Sequence, residues 1–313
     1  MPAITAKSPG KTILFGEHAV VYGYPAIAVP LPSIALRVSF MGLPSQPAGY
    51  MRVRNANTHS EELLDQMSAE HPIRAALELT ILALGLDHIP ATEITISSTI
   101  PIASGLGSSA ALAAAFIRGF SQYLGFHLDN EHVNELAFEM EKLQHGTPSG
   151  IDNTVIVHQK PIYFVKGQTI EHLKLGQPIT LIIADTGVRS LTREVVADVR
   201  QRLEVEPEVV NPIMEAIGTV ARAAREELLH GTPEQVGRLM DENQALLVDL
   251  GVSCPELDAL IAAARSAGAL GAKLCGSGRG GNMVALAQPD HAEIVRDALL
   301  AGGAVTAIIA EIE

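Results

Sequence analysis

The chain has 313 residues, 47% of them hydrophobic and 18% charged, which suits a globular protein of about two domains with a substantial core. Lys and Arg number 22 against 35 Asp and Glu, a formal net charge of −13 that argues against nonspecific binding to nucleic acid or to an anionic membrane. An anionic small molecule stays admissible, because a pocket can be locally positive on an acidic protein.

Cys254 and Cys275 are the only cysteines, too few for a disulfide framework or a zinc pattern, so a reducing cytoplasm is the expected compartment. The first 20 residues carry Lys7, Lys11 and Glu17 without a long apolar run, and no secretory leader is expected. Pro25, Pro30 and Pro32 cut the apolar stretches near them, and no segment reads as membrane-spanning.

In chain order, ILFG, PAIAVPL and SIALRVSF (33–40) are short apolar runs of strand type. IRAALELTILALG (73–85) has helical spacing and stops at a glycine. TEITISSTIP (92–101) alternates like a half-buried strand. A helix is predicted from Asn130 to about Gln144, with Val133, Leu136, Ala137, Met140 and Leu143 on one face. NTVIVH and PIYFV, within 153–165, read as a pair of strands. The glycine-containing polar stretch 166–178 is the candidate boundary, giving domains 1–176 and 177–313. Beyond it lie a buried strand, ITLIIADTG (179–187), and helical patterns over 192–230, 233–250 and 255–268. AKLCGSG, GNMVALAQ, a helix near 290–302 and AVTAIIAEI close the chain. The second half therefore predicts an open sheet backed by helices, an α+β arrangement. There is no internal repeat, no low-complexity tail and no nucleic-acid module.

The stretch PIASGLGSSA (101–110) joins flexible residues directly to an alanine-rich helix. A helix start carries unpartnered N–H groups and positive dipole character, and glycines let the backbone curl close to an anion. Pro101, Ala103, Ser104, Gly105, Leu106, Gly107, Ser108, Ser109 and Ala110 thus form a candidate phosphate cradle. A glycine-rich turn with a serine N-cap reads the same residues equally well. The loop is neither a Walker A sequence nor a dinucleotide fingerprint.

Two further segments narrow the choice. SPGKTILFGEHAVVYGYPAIAVPL (8–31) and KLCGSGRGGNMVAL (273–286), together with the loop, resemble the three signature motifs of the galactokinase, homoserine kinase, mevalonate kinase and phosphomevalonate kinase superfamily. Within it, GEHAVVYG, EKLQHGTPSGIDNTV (141–155) and ADTGVRSLTREVV (184–196) are similar to the mevalonate kinase branch. The resemblance spans nearly the whole chain. It implies an N-terminal domain with a left-handed βαβ crossover, a C-terminal ferredoxin-like domain, and ATP and mevalonate meeting between them. The implied reaction is ATP-dependent phosphorylation of the mevalonate 5-hydroxyl. A kinase of phosphomevalonate or another small hydroxy acid, or a catalytically silent sensor, are the alternatives.

By the same resemblance, Ser109 and Glu141 are the Mg²⁺ contacts; their hard oxygens suit that ion. Read without it, Glu141 is an ordinary solvated helix carboxylate beside Lys142. Asp152 is implied as the carboxylate that accepts the substrate hydroxyl proton, whereas its local context, a tight turn placed before a strand, equally describes an Asp capping its own backbone. Lys11 is implied between Asp152 and the γ-phosphate; by itself it is a surface lysine before a strand. Glu17, His18 and Thr192 are the implied substrate-side residues, with His18 open to a structural role under its loop and His145 read as mainly structural. RVRNANTHS (52–60) is the candidate adenine segment. Two positions depart from the family's pattern: Arg279 interrupts the glycine run of the third motif, and Leu191 stands where a small polar residue is usual. A homodimer follows only by analogy.

Overall fold

The structure is a computed structural model that describes residues 3–101, 105–145 and 148–313, with the side chains of residues 144 and 145 left out. Its strands are β1 (Ile4–Phe15), β2 (Ala26–Gly42), β3 (Met51–Asn55), β4 (Ser60–Leu63), β5 (Thr92–Ser98), β6 (Ile162–Phe164), β7 (Glu171–His172), β8 (Ile179–Asp185), β9 (Gly271–Leu274), β10 (Asn282–Ala287) and β11 (Thr306–Ile312). Its helices are α1 (Pro72–Leu84), α2 (Ser108–Tyr123), α3 (Asn130–His145), α4 (Ile151–His158), α5 (Thr192–Val205), α6 (Pro207–His230), α7 (Pro233–Asp249), α8 (Pro255–Ser266) and α9 (Ala292–Ala301). Among the described residues no helix is long and apolar enough to cross a membrane.

The chain divides into two compact units that interleave along the sequence. The first comprises Met1–Gly10, Ile34–Pro101 and Gly107–Gln159. Here the later part of β2 pairs antiparallel with β5 (Leu36 opposite Ser98, Gly42 opposite Thr92), and β3 pairs parallel with β5 and antiparallel with β4. Helix α2 supplies the core. Its alanines at 110, 111, 113, 114 and 115 are all buried, and small side chains let a helix approach its neighbours closely. Phe116 and Phe120 of α2 meet Phe40 of β2 at ring-centroid distances of 5.3 and 5.5 Å.

The segment 153–158, expected as a strand from its β-branched residues, is instead most of helix α4. Gly150, at φ 91°, turns the chain, and the Thr154 hydroxyl donates back to the Gly150 carbonyl at 2.7 Å. Ile151, Val155, Ile156 and Val157 are all buried. A short apolar run buried on every side carries no helical or strand period, so packing against α2 and α3 decided the outcome. Asp152 accordingly lies in the first turn of a helix, and the turn before it leads into no strand.

The second unit comprises Lys11–Ser33, Ile102–Leu106 and Lys160–Glu313. Its antiparallel sheet has the order β11-β8-β10-β9, the ferredoxin-like sequence. The helical pattern over 192–230 breaks at Glu206, where Pro207 opens a second helix. Edge strand β9 is covered rather than left open: Asp241 and Gln244 of α7 accept the Ala272 and Leu274 amides at 2.9 and 2.8 Å. That register carries Asn243 and Gln244 to the side chains around Lys273.

Candidate active site

At the start of α2 the N-cap is Gly107, held at φ 80°, and among the described residues no side chain caps the helix. The serine-cap reading of the loop is thereby set aside. Leu106 is buried and its carbonyl accepts the Lys11 amide at 3.0 Å, which fixes the loop against β1. The first amide bonded within the helix is that of Ala111, to the Gly107 carbonyl at 2.9 Å. The amides ahead of it belong to the end of the helix where positive dipole character collects. Ala103 and Ser104 of the predicted cradle lie outside the described residues, whereas Pro101 and Gly105 through Ala110 lie within them.

Ser109, in the first turn of α2, donates its hydroxyl to Glu141 Oε1 at 2.6 Å. Glu141 projects from α3 and is 5% exposed. The packing of α2 on α3 thus aims a carboxylate at the helix mouth. Among the described residues no group of three or more His, Cys, Asp or Glu could hold a metal. A single carboxylate and a hydroxyl nevertheless fit Mg²⁺, which favours one or two protein oxygens completed by water and phosphate. Asp152 belongs to the same unit, in the first turn of α4, where a helix dipole favours a carboxylate. Lys11 belongs to the other unit, buried in β1.

The second unit gathers Glu17, His18 and Thr192. Glu17 is buried in an ion pair with Lys273, and Asn243 Nδ2 donates to its other oxygen at 3.2 Å. Lys273 Nζ also donates to the Leu274 carbonyl at 2.6 Å. The next residue, His18, has φ 61° and ψ −50°, and the Ala19 amide bonds to the Glu17 carbonyl at 2.7 Å. These angles with that bond define a γ-turn of the rare positive-φ kind. Such strain costs on the order of 1–3 kcal/mol and persists only where surroundings impose it; here the buried pair holds Glu17 on one side of the turn.

His18 Nε2 lies 3.0 Å from the Ser277 carbonyl. A carbonyl only accepts, so Nε2 carries the proton and Nδ1 is left as an acceptor. Burial, reinforced by the charges of Arg279 and Lys273, outweighs the Ser277 bond and pulls the imidazole down to about 4, so the ring is neutral at pH 7. The Thr192 hydroxyl, at the start of α5, lies 3.2 Å from the Ser277 hydroxyl. Lys273, Asn243 and Ser277 were not singled out from sequence; the nearest signal was the KLCGSG motif that carries two of them. Of the two departures, Arg279 turns its guanidinium to Asp198 and to the Gly251 carbonyl, 3.3 Å away, while Leu191 is 63% exposed ahead of α5. The 52–60 segment forms a hairpin of β3 and β4, and Asn57 bonds both the carbonyl and amide of Ser98 at 2.8 Å.

Two family models match the chain: the GHMP kinases N terminal domain over residues 71–160 and the GHMP kinases C terminal domain over 224–305. A mevalonate kinase of Pyrococcus horikoshii is 36% identical, the match covering 96% of this chain and 93% of the relative. One from Aeropyrum pernix is 34% identical over 99% and 97%. Among solved structures, L. major mevalonate kinase in complex with R-mevalonate superposes with a TM-score of 0.86 at 29% identity, covering 99% of this chain and 95% of that one. Mevalonate kinase from Staphylococcus aureus gives 0.74 at 30% identity over 99% and 98%.

Proposed function

The chain belongs to the mevalonate kinase family of the GHMP kinases, and from that premise we propose that it transfers the γ-phosphoryl group of ATP to the 5-hydroxyl of (R)-mevalonate. The products are 5-phosphomevalonate and ADP, on the route to isoprenoid precursors. The observation that carries the reading is the Ser109–Glu141 pair: a hydroxyl in the first turn of the glycine-led helix α2 and, 2.6 Å from it, a carboxylate carried by α3.

Phosphoryl transfer passes through a loose transition state and needs mainly positioning and charge compensation. The amides at the start of α2 receive phosphate oxygens. Ser109 and Glu141 would hold Mg²⁺, which when bound offsets charge on the phosphates. Asp152 accepts the 5-hydroxyl proton as the new O–P bond forms and the bond to the ADP oxygen breaks. Lys11 supplies a fixed positive charge to the moving group. His18 and Thr192 contact the acceptor, whereas Glu17, buried against Lys273, acts by holding the turn that carries His18. The two free cysteines suit a cytoplasmic protein. A homodimer is carried over by analogy, and light scattering reads it directly.

The test is a coupled ADP-release assay with mevalonate, phosphomevalonate, galactose and homoserine. Mevalonate should give the highest kcat/KM; a far higher value for another acceptor overturns the assignment. ATP binding without transfer to any acceptor would mark a sensor. Asp152→Asn should lower kcat by about 10²–10⁴ while ATP affinity stays within about threefold. Unchanged turnover removes Asp152 from the mechanism.

A further inference from the structure

Between β9 and β10 the chain runs through Gly276, Ser277, Gly278, Arg279, Gly280 and Gly281. All of these except Ser277 have positive φ: 83°, 76°, 55°, 127° and 68° in order. The loop is also backed by rigid chain. A Cβ at Gly278 would stand 2.0 Å from the Val252 carbonyl oxygen, and one at Gly280 2.5 Å from that of Val188. The Arg279 amide donates to the Val252 carbonyl at 2.7 Å, and the Gly281 amide to the Val188 carbonyl at 2.8 Å. A loop pinned in this way has one residue of ordinary backbone conformation, and Ser277 is that residue.

Ser277 touches both residues assigned above to the acceptor. Its carbonyl accepts a hydrogen bond from His18 Nε2 at 3.0 Å, and its hydroxyl pairs with that of Thr192 at 3.2 Å. Thr192 is exposed at the start of α5, and its neighbour Leu191 is exposed too, so packing alone does not choose the threonine rotamer. The same loop ties α5 a second time, through Arg279 and Asp198. The chain's own departure from an unbroken glycine run thereby acquires a physical use.

We propose that Ser277 is a specificity-determining residue for the phosphoryl acceptor, fixing the Thr192 hydroxyl through its side chain and the His18 ring through its carbonyl. The inference rests on the kinase reading above. Its chemistry selects a small hydroxy acid. The Ser277–Thr192 pair shares one proton between two hydroxyls and keeps a second donor for an anionic oxygen. His18 Nδ1 keeps a lone pair for an acceptor hydroxyl. An acceptor lacking either group leaves one of these partners unmatched, and such mismatches discriminate strongly.

Ser277→Ala keeps the carbonyl bond to His18 and removes only the hydroxyl. Assayed with whichever of the four acceptors the wild-type enzyme uses best, it should raise the acceptor KM by about fivefold, the worth of one modest hydrogen bond. The ATP KM and kcat should stay within about twofold. Thr192→Val should also raise the acceptor KM, and adding Ser277→Ala to it should change that KM by less than about twofold, because the two hydroxyls act as one unit. An unchanged acceptor KM in Ser277→Ala, an equal rise in the ATP KM, or effects that multiply in the double variant each overturn the proposal. Preference for phosphomevalonate or homoserine sinks the mevalonate reading but leaves these comparisons decisive for Ser277, whereas preference for galactose, which has no anionic oxygen, overturns both. Transfer to none of them overturns both.

Discussion

Replacing Lys273 by methionine isolates the buried pair behind the γ-turn. Both side chains of the Lys273–Glu17 pair are fully buried. Methionine matches the lysine stem in length and apolar volume, so little packing is lost. What remains is a carboxylate shut off from solvent whose one other donor among the described residues is Asn243 Nδ2 at 3.2 Å, while the Leu274 carbonyl loses the ammonium that stood 2.6 Å away. Stranding one member of a buried pair costs about 3–5 kcal/mol, a large share of the roughly 5–15 kcal/mol that ordinarily separates folded from unfolded states. For a unit of this size that is a fall of about 6–20 °C in the melting transition. Thermal and urea unfolding followed by circular dichroism measure it. Adding Glu17→Gln removes the stranded charge and should recover most of the loss. A Lys273→Met protein within about 1 kcal/mol of wild type, or a double variant less stable than the single one, would refute the reasoning.

Three other outcomes are expected. The folded-state pKa of His18, about 4, lies below its ordinary value of 6.5, so the unfolded chain binds the extra proton first. Stability from this group is complete above about pH 6.5 and is lost as pH falls toward 4, on the order of 3 kcal/mol in all; His18→Asn should flatten the pH dependence of urea midpoints across that window. Gly119→Ala should destabilise the first unit by about 1–3 kcal/mol, because its Cβ would meet Phe40 Cε2 at 2.7 Å and Ala6 Cβ at 2.9 Å, and calorimetry reads the shift. Glu141→Gln should raise the Mg²⁺ concentration for half-maximal activity about tenfold or more, by removing a charged oxygen ligand; an unaltered Mg²⁺ titration would remove Glu141 from the metal site.

Much of the architecture follows from local pattern. The helical spacing of 73–85 ends where Gly85 takes the left-handed cap, and the alternation of 92–98 becomes β5. The glycine-to-alanine change at 107–110 marks the start of α2, because backbone freedom and helix propensity are properties of single residues. The segment 153–158 is different in kind: Val and Ile favour strands in isolation, but burial against α2 and α3 imposed a helix, and no local preference encodes that neighbour. The same limit applies to the candidate site. Sequence could name Glu17, His18 and Thr192 as chemical groups in suggestive motifs. Their partners, Lys273 and Ser277, lie 256 and 85 residues away along the chain from Glu17 and Thr192 respectively. Residue chemistry and short-range period were therefore written in the sequence by itself. Only tertiary structure decided that the glutamate is sealed by a lysine, that the histidine is neutral and strained, and that one serine meets both His18 and Thr192, since burial and distance arise from contacts that the linear order does not contain.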